Sequence, residues 1–498
     1  MNKAVRRIGF VLTAIFIVLF ANLNYIQLVK SRELTEHPRN PRDDARVYGI
    51  HRGEILAKDN TVLARSEPTG DELYKYRREY PLGELFGHIT GYYTPRAFCH
   101  AGGLERSYDD YLLGLAPETT ETFVDSHLGR QPDGNVIKIT IDPDLQRLAR
   151  KALKGQRGGV AAINPKTGAV LALYSNPAYD PNEITEKERN GCESAKVRLE
   201  RDRRRPMRSR AFSDYYPPGS TFKIVTASAG LTAGMAPGTT FPDPRRLDLP
   251  DTDRTLGNYQ GGSCFGGHIS IASAFRVSCN TTFAQVAMRV GAKKFSAMAS
   301  RFGINKDPDF DIPEAIPSCV VAVPGLGCRN ADDLARPFVA YSGIGQNDVR
   351  MTPLGMARVA AGVANNGRVP KPYLVEQIIA PDGGIIRDTK PEVSKAIYSK
   401  RVARQMRQLM IDVVRSGTGR PAGFKHVGIV GGKTGTAQTG TGSPPHVWFA
   451  AWGPGIAIAV VVENGGDLGR RASGGAVAGP IAAALVNRVV AQELRKDD

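Results

Sequence analysis

The 22 residues from position 8 to position 29 carry no charge, and Lys3, Arg6 and Arg7 stand just before them. At about 1.5 Å of helical rise each, these residues reach about 33 Å, which matches the hydrocarbon core of a bilayer. The basic flank sets the orientation: it stays in the cytoplasm, and everything after Val29 is exported. A cleaved signal peptide would leave the bulk of the chain in the same compartment, but no A-x-A-like site follows the run. Residues 1–30 therefore read as a cytoplasmic tip and a transmembrane signal anchor, giving a single-pass protein of the cell membrane whose later domains lie outside the cytoplasm.

The full chain has 498 residues, too many for one ordinary core. Its 66 Lys and Arg against 49 Asp and Glu leave a net charge of +17, which suits a polyanion: nucleic acid, lipid headgroups or a wall polymer. No zinc-type Cys/His spacing, RNA-binding aromatic signature or Gly-rich phosphate loop accompanies the charge, so nucleic acid is set aside and neither metal nor cofactor is expected. Membrane and wall remain. Six cysteines in an exported chain can oxidise. The close pairs are Cys264 with Cys279 and Cys319 with Cys328, and spacing alone does not fix the pairing.

Residues 31–135 are polar and Arg-rich with scattered Gly and Pro, and read as a small membrane-proximal domain. The pattern changes at 136–141, an alternating strand-like run. Asp142 then caps a helix with Pro143 at its first position. Residues 158–163 and 169–174 make a hairpin around Asn164-Pro165-Lys166-Thr167-Gly168. Three more strand candidates follow far downstream, at 427–430, 447–452 and 456–462, before a closing helix at 476–494. The middle is helical, with runs at 282–290 and 353–363. An arginine-rich run at 198–210 reads as a solvated loop or a hold on an anionic polymer. The expected fold is α+β, an antiparallel sheet assembled from distant segments and flanked by helices, starting near residue 136 and running to 498.

Within that frame, Tyr216-Pro217-Pro218-Gly219-Ser220-Thr221-Phe222-Lys223 places chain breakers directly before a helix-forming run. Ser220 sits at the helix start, where unpaired backbone N–H groups favour developing negative charge. Lys223 lies on the same face. A serine hydroxyl needs a base, and lysine can be that base only when burial or a neighbouring cation keeps it neutral. Ser220 opens the only S-x-x-K in the chain and Ser278 the only S-x-N, while K-T-G occurs at 166–168 and at 433–435. The first copy falls in the hairpin turn. The second continues a strand candidate, where Gly435 would let an extended peptide lie alongside and Lys433 and Thr436 would meet its carboxylate. Ser278 is the expected proton relay. Asn280 has two readings, a ligand for substrate or Lys223, and a cap for the helix that follows.

The trio in this order resembles the penicillin-binding protein and serine β-lactamase superfamily. The resemblance extends to class B penicillin-binding proteins, and to their actinobacterial elongation-type subgroup, through several further segments. These are Asn40-Pro41-Arg42, His51-Arg52-Gly53-Glu54-Ile55, Gly103-Leu104-Glu105, Thr140-Ile141-Asp142, Gly345-Gln346-Asn347-Asp348, Thr352-Pro353-Leu354 and Trp448-Phe449. It implies a transpeptidase domain at 136–498 behind a non-catalytic, dimerisation-like domain at 31–135. It implies that Ser220 forms an acyl-enzyme with a peptidoglycan stem peptide and that Lys223 takes the serine proton. Ser278, Asn280 and Lys433 would complete the machinery and Thr434, Gly435 and Thr436 would bind substrate. The backbone N–H groups of Ser220 and Thr436 would form the oxyanion hole. β-Lactams would acylate the same serine, and a membrane glycosyltransferase of the SEDS type is the implied partner. Cys279 inside the second motif departs from the family pattern.

Overall fold

A computed structural model describes residues 3–26, 30, 49–71, 75–94, 101–118, 133–185, 192–259, 261–440 and 442–497. From the basic flank into the uncharged N-terminal run it forms one helix, Lys3–Asn24, whose apolar side chains from Ile8 to Leu23 are exposed. Among the described residues it is the one helix long and apolar enough to cross a membrane. The end of that run, 27–29, and Asn40-Pro41-Arg42 lie outside the described residues.

Two sheets organise the rest. The first has six strands in the order Ile385–Asp388, Val375–Ile379, Val136–Ile139, Ile55–Leu56, Val62–Pro68 and Tyr76–Glu79. Ile55–Leu56 runs parallel to Val136–Ile139, so the membrane-proximal segment and the chain beyond residue 136 share one hydrogen-bonded ladder. The residues around it explain the His51-to-Ile55 and Gly103-to-Glu105 motifs. The buried Glu105 carboxylate accepts from Arg52 Nε at 2.7 Å and from Arg78 Nε at 2.6 Å. Burial pushes the Glu105 carboxyl up, but the two guanidiniums outweigh it and hold it below the ordinary value. A Cβ on Gly53 would lie 2.0 Å from the Asn135 carbonyl oxygen, so only glycine lets these two strands of chain meet.

The second sheet is antiparallel throughout, ordered Gly431–Ala437, His446–Gly453, Ile456–Val462, Gly158–Ile163 and Val170–Asn176. Every residue of Ile456–Val462 and of Gly158–Ile163 is buried, as near-continuous apolar strands covered on both faces require. Helices Ala478–Asp497 and Pro143–Leu153 pack together and on the sheet. Pro353–Ala364, Lys400–Ser416 and Lys223–Thr232 form a second contacting group. The local signals act as chemistry dictates: Asp142 accepts from the N–H groups of Asp144 and Leu145, and Thr352 from that of Gly355.

One strand starts later than its pattern suggests. Residues 427–430 are a turn held by Ile429 N donating to His426 O, with Gly428 at φ +117°, and the strand begins at Gly431. The apolar Val427 and Ile429 are exposed. The consequence is that the second K-T-G lies inside the strand, and that this strand is the free edge of the sheet.

Candidate active site

The approach to Ser220 is fixed before its helix begins. Tyr216 exchanges backbone hydrogen bonds with Met351, and Trp448 Nε1 donates to Pro217 O at 3.0 Å. Gly219 then turns with φ +52°, and a 3₁₀ turn, Gly219–Phe222, leads into helix Lys223–Thr232. In 3₁₀ geometry residues three apart eclipse, which sets Ser220 and Lys223 on one face. Ser220 is half-buried at the wall of a cavity of about 980 Å³.

Lys223 is fully buried, and its Nζ donates to the Ser278 carbonyl and to Asn280 Oδ1, both at 2.7 Å. Ser278 stands in the left-handed region at φ +67°, a conformation that costs a non-glycine residue and aims both its carbonyl and its hydroxyl at the lysines. Lys433, also fully buried, donates from Nζ to Ser278 Oγ at 2.8 Å, and that oxygen lies 3.5 Å from Lys223 Nζ. One hydroxyl thus bridges two amines. Burial first, and the charge of Lys433 second, hold Lys223 well below the usual lysine range. Burial pushes Lys433 down to about 7.

Asn280 does not cap its helix with its own side chain. Asn258 does so from a neighbouring segment, its Oδ1 accepting from the N–H groups of Asn280 at 2.7 Å and Thr281 at 3.1 Å. Asn280 is left to hold Lys223 and, through Nδ2, the Gly257 carbonyl at 3.1 Å.

Along the edge strand the side chains alternate. Thr434 and Thr436 line the cavity, and Thr434 Oγ1 shares a 2.7 Å hydrogen bond with Thr418 Oγ1. Gly435 faces the serine turn instead. A Cβ there would lie 2.7 Å from Pro218 O and 3.0 Å from Thr221 Cγ2, so the glycine makes room for the turn that carries Ser220 rather than for a peptide. The sequence-based reason for this glycine is corrected accordingly. Lys433 is likewise turned inward to Ser278, while Thr418, Thr434 and Thr436 are among the hydroxyl residues that line the cavity.

The six residues Ser220, Lys223, Ser278, Asn280, Thr434 and Thr436 are brought together, with Lys433 behind them and Gly435 beneath the turn. Lys166-Thr167-Gly168 stays in its hairpin turn. Three contributors escape a reading of motifs. Thr418, between two glycines after a long amphipathic helix, had only that local signal. Asn258 had none. Glu463 is buried, and accepts from Tyr216 OH at 2.8 Å, Arg210 Nε at 2.7 Å and Arg157 Nε at 3.0 Å. Burial raises its carboxyl, but Arg210, Tyr216 and Arg157 outweigh that and hold it below the ordinary value. It anchors the segment leading to Ser220 from the end of the central strand, where Val462 pairs with Val447 and Val447 with Thr436.

Cys279, between Ser278 and Asn280, is disulfide-bonded to Cys264, and Cys319 to Cys328. The first bond closes a loop with a sequence separation of 15, for which chain entropy gives roughly 3 kcal/mol. Replacing Cys264 and Cys279 with serine is expected to lower the melting temperature and to slow modification of Ser220, because Ser278 and Asn280 lose their covalent brace. Equal modification rates for the wild type and the double variant would contradict this.

An antiparallel sheet with helices on both faces, its free edge closing a cavity over a serine and two buried lysines, is the architecture of the penicillin-binding transpeptidases. Comparison with known proteins agrees. Residues 158–487 match the penicillin binding protein transpeptidase domain and residues 52–137 the penicillin binding protein A dimerisation domain. The chain belongs to the penicillin-binding protein transpeptidase family, on the PbpA side of it. It is 36% identical over 507 aligned residues to the peptidoglycan D,D-transpeptidase PbpA of Mycolicibacterium smegmatis, covering 98% of each chain. To the peptidoglycan D,D-transpeptidase PbpA of Mycobacterium tuberculosis it is 34% identical, over 99% of this chain and 100% of the other. The penicillin G acyl-enzyme complex of the M. tuberculosis penicillin-binding protein A superimposes with a TM-score of 0.78 and 33% identity, covering 88% of this chain and 99% of that one.

Proposed function

We propose that this chain is a peptidoglycan D,D-transpeptidase, anchored in the cell membrane, that cross-links stem peptides outside the cytoplasm through a Ser220 acyl-enzyme. The observation that carries the reading is the pair of buried lysines joined through Ser278 beside a serine at a helix start. A neutral amine has two N–H bonds and one lone pair. With both hydrogens of Lys223 engaged by Ser278 O and Asn280 Oδ1, the lone pair is free to accept the serine proton.

Ser220 Oγ bonds to the carbonyl carbon of the penultimate D-Ala. The oxyanion rests on the backbone N–H groups of Ser220 and Thr436, and the proton held by Lys223 passes to the departing terminal D-Ala as the C–N bond breaks. An amine from a second stem peptide then attacks the ester, forming the new amide and returning the proton to Ser220. Ser278 relays protons between Lys223 and Lys433. Thr434 and Thr436 receive the substrate carboxylate, supported by Thr418, and Gly435 seats the serine turn against the strand. Division into an anchor at 1–30, a membrane-proximal non-catalytic domain at 31–135 and a transpeptidase domain at 136–498 is supported by the two family matches and by the exposed apolar helix. A SEDS-type glycosyltransferase is the partner this family resemblance suggests.

Incubation with benzylpenicillin, intact-mass measurement and peptide mapping test the reading. A stoichiometric adduct on Ser220 that persists for many minutes is the expected result. Rapid release of hydrolysed drug would instead mark a β-lactamase, and no adduct on Ser220 would overturn the proposal.

A further inference from the structure

The mouth of the cavity carries charge that the reaction as described leaves unused. Strands Arg246–Asp248 and Thr255–Gly257 form a short antiparallel hairpin in which Arg246 pairs with Gly257 and Leu247 with Leu256. Buried Leu249 and Leu256 root it. Its second strand ends on the site itself, because Gly257 O accepts from Asn280 Nδ2 and Asn258 caps the helix that begins at Asn280. The hairpin is therefore in fixed register with the machinery around Ser220.

Arg246 and Arg254 both line the cavity that holds Ser220. Among the described residues lining it, none is acidic. Arg246 Nε donates to Thr255 Oγ1 at 2.8 Å, and neither guanidinium belongs to an ion pair among the described residues, although Asp248, Asp251 and Asp253 stand on the same hairpin. Two always-charged forks lining one space concentrate positive potential there, with no acidic side chain among the described lining residues to answer it. At about 980 Å³ the space is at the large end for a ligand site, with room for several residues beyond a terminal dipeptide. The hydroxyls of Thr418, Thr434 and Thr436 serve the C-terminal carboxylate, so the guanidiniums remain for another one.

We infer that Arg246 and Arg254 are specificity-determining residues that bind a carboxylate on the peptide upstream of the bond Ser220 attacks, selecting acidic peptides over their amidated counterparts. This rests on the transpeptidase reading above. Arginine's planar fork matches a carboxylate with two parallel hydrogen bonds, and a carboxamide forfeits the charge and one acceptor.

The test uses the purified full chain in detergent and synthetic pentapeptides ending in D-Ala-D-Ala, made in pairs with glutamate or glutamine at each of the three upstream positions. D-Ala release gives kcat/KM for each. At one position the wild type is expected to favour glutamate by about tenfold, the scale of a charged hydrogen bond at a partly open site. The Arg246→Ala/Arg254→Ala variant should treat the pair equally, Arg246→Lys/Arg254→Lys should keep part of the preference, and Arg254→Glu should favour glutamine. A wild type indifferent at all three positions, or a preference that survives the double alanine variant, overturns the inference. Benzylpenicillin separates the two levels. A Ser220 adduct without carboxylate selection sinks only this inference, whereas absence of the adduct sinks the transpeptidase reading and this with it.

Discussion

Replacing Ser220 with alanine is expected to remove covalent labelling by benzylpenicillin and to lower any peptide turnover by about a million-fold, the scale on which acyl-transfer enzymes lose rate when their nucleophile is deleted. The fold should be indifferent. Ser220 is only half-buried, and the turn around it is held by Gly219 N donating to Gly345 O at 2.9 Å and by Thr221 Oγ1 donating to Pro218 O at 2.8 Å, neither of which uses the serine side chain. Intact-mass spectrometry on wild type and variant, with matched thermal unfolding, reads both halves. An adduct that survives in the alanine variant would move the nucleophile elsewhere.

Lys433→Met is expected to shift the pH dependence of acylation as well as its rate. Methionine keeps much of the volume of the buried side chain and removes its charge. That charge is, after burial, the second cause holding Lys223 low, so without it the pKa of Lys223 rises. A base acts while neutral, and its neutral fraction falls as pH drops through its pKa. The acidic limb of the rate profile therefore moves to higher pH in the variant. At neutral pH the loss should reach about a hundredfold, the lower end of what a mis-tuned general base costs. Rates of penicillin acylation measured between pH 5 and pH 10 decide it. A limb that stays in place would mean that Lys433 acts only as a prop for Ser278.

What could be read from the chain follows from how local each signal is. Helix caps at Asp142 and Thr352, the hairpin around Asn164 and Gly168, and the three short motifs at 220–223, 278–280 and 433–435 are carried by neighbours in sequence. The structure gathers those motifs at one cavity. The start of the strand at 431–437 is masked in the sequence, because Val427, Ile429 and Val430 look like β residues while Gly428, at φ +117°, bends the chain out of the ladder. The parallel pairing of Ile55 with Ile137 joins segments more than 80 positions apart, and no periodicity announces it. Asn258, Thr418, Glu463 and the two hairpin arginines have meaning only through residues distant in the chain. Gly435 marks the difference most sharply: its importance is visible in the motif, but its reason lies in Pro218 and Thr221.

The seating of the serine turn has a consequence for variation under selection. Three glycines, Gly219, Gly345 and Gly435, let backbone rest directly on backbone there. A Cβ on Gly219 would lie 2.7 Å from Thr436 O, one on Gly345 2.1 Å from Gly219 O, and one on Gly435 2.7 Å from Pro218 O. No side-chain layer lies between to be remodelled, so a mutation at these positions displaces the serine for substrate and antibiotic alike. Under the transpeptidase reading, heritable escape from a β-lactam is driven outward to the rim of the cavity, where a population can trade drug affinity without surrendering growth.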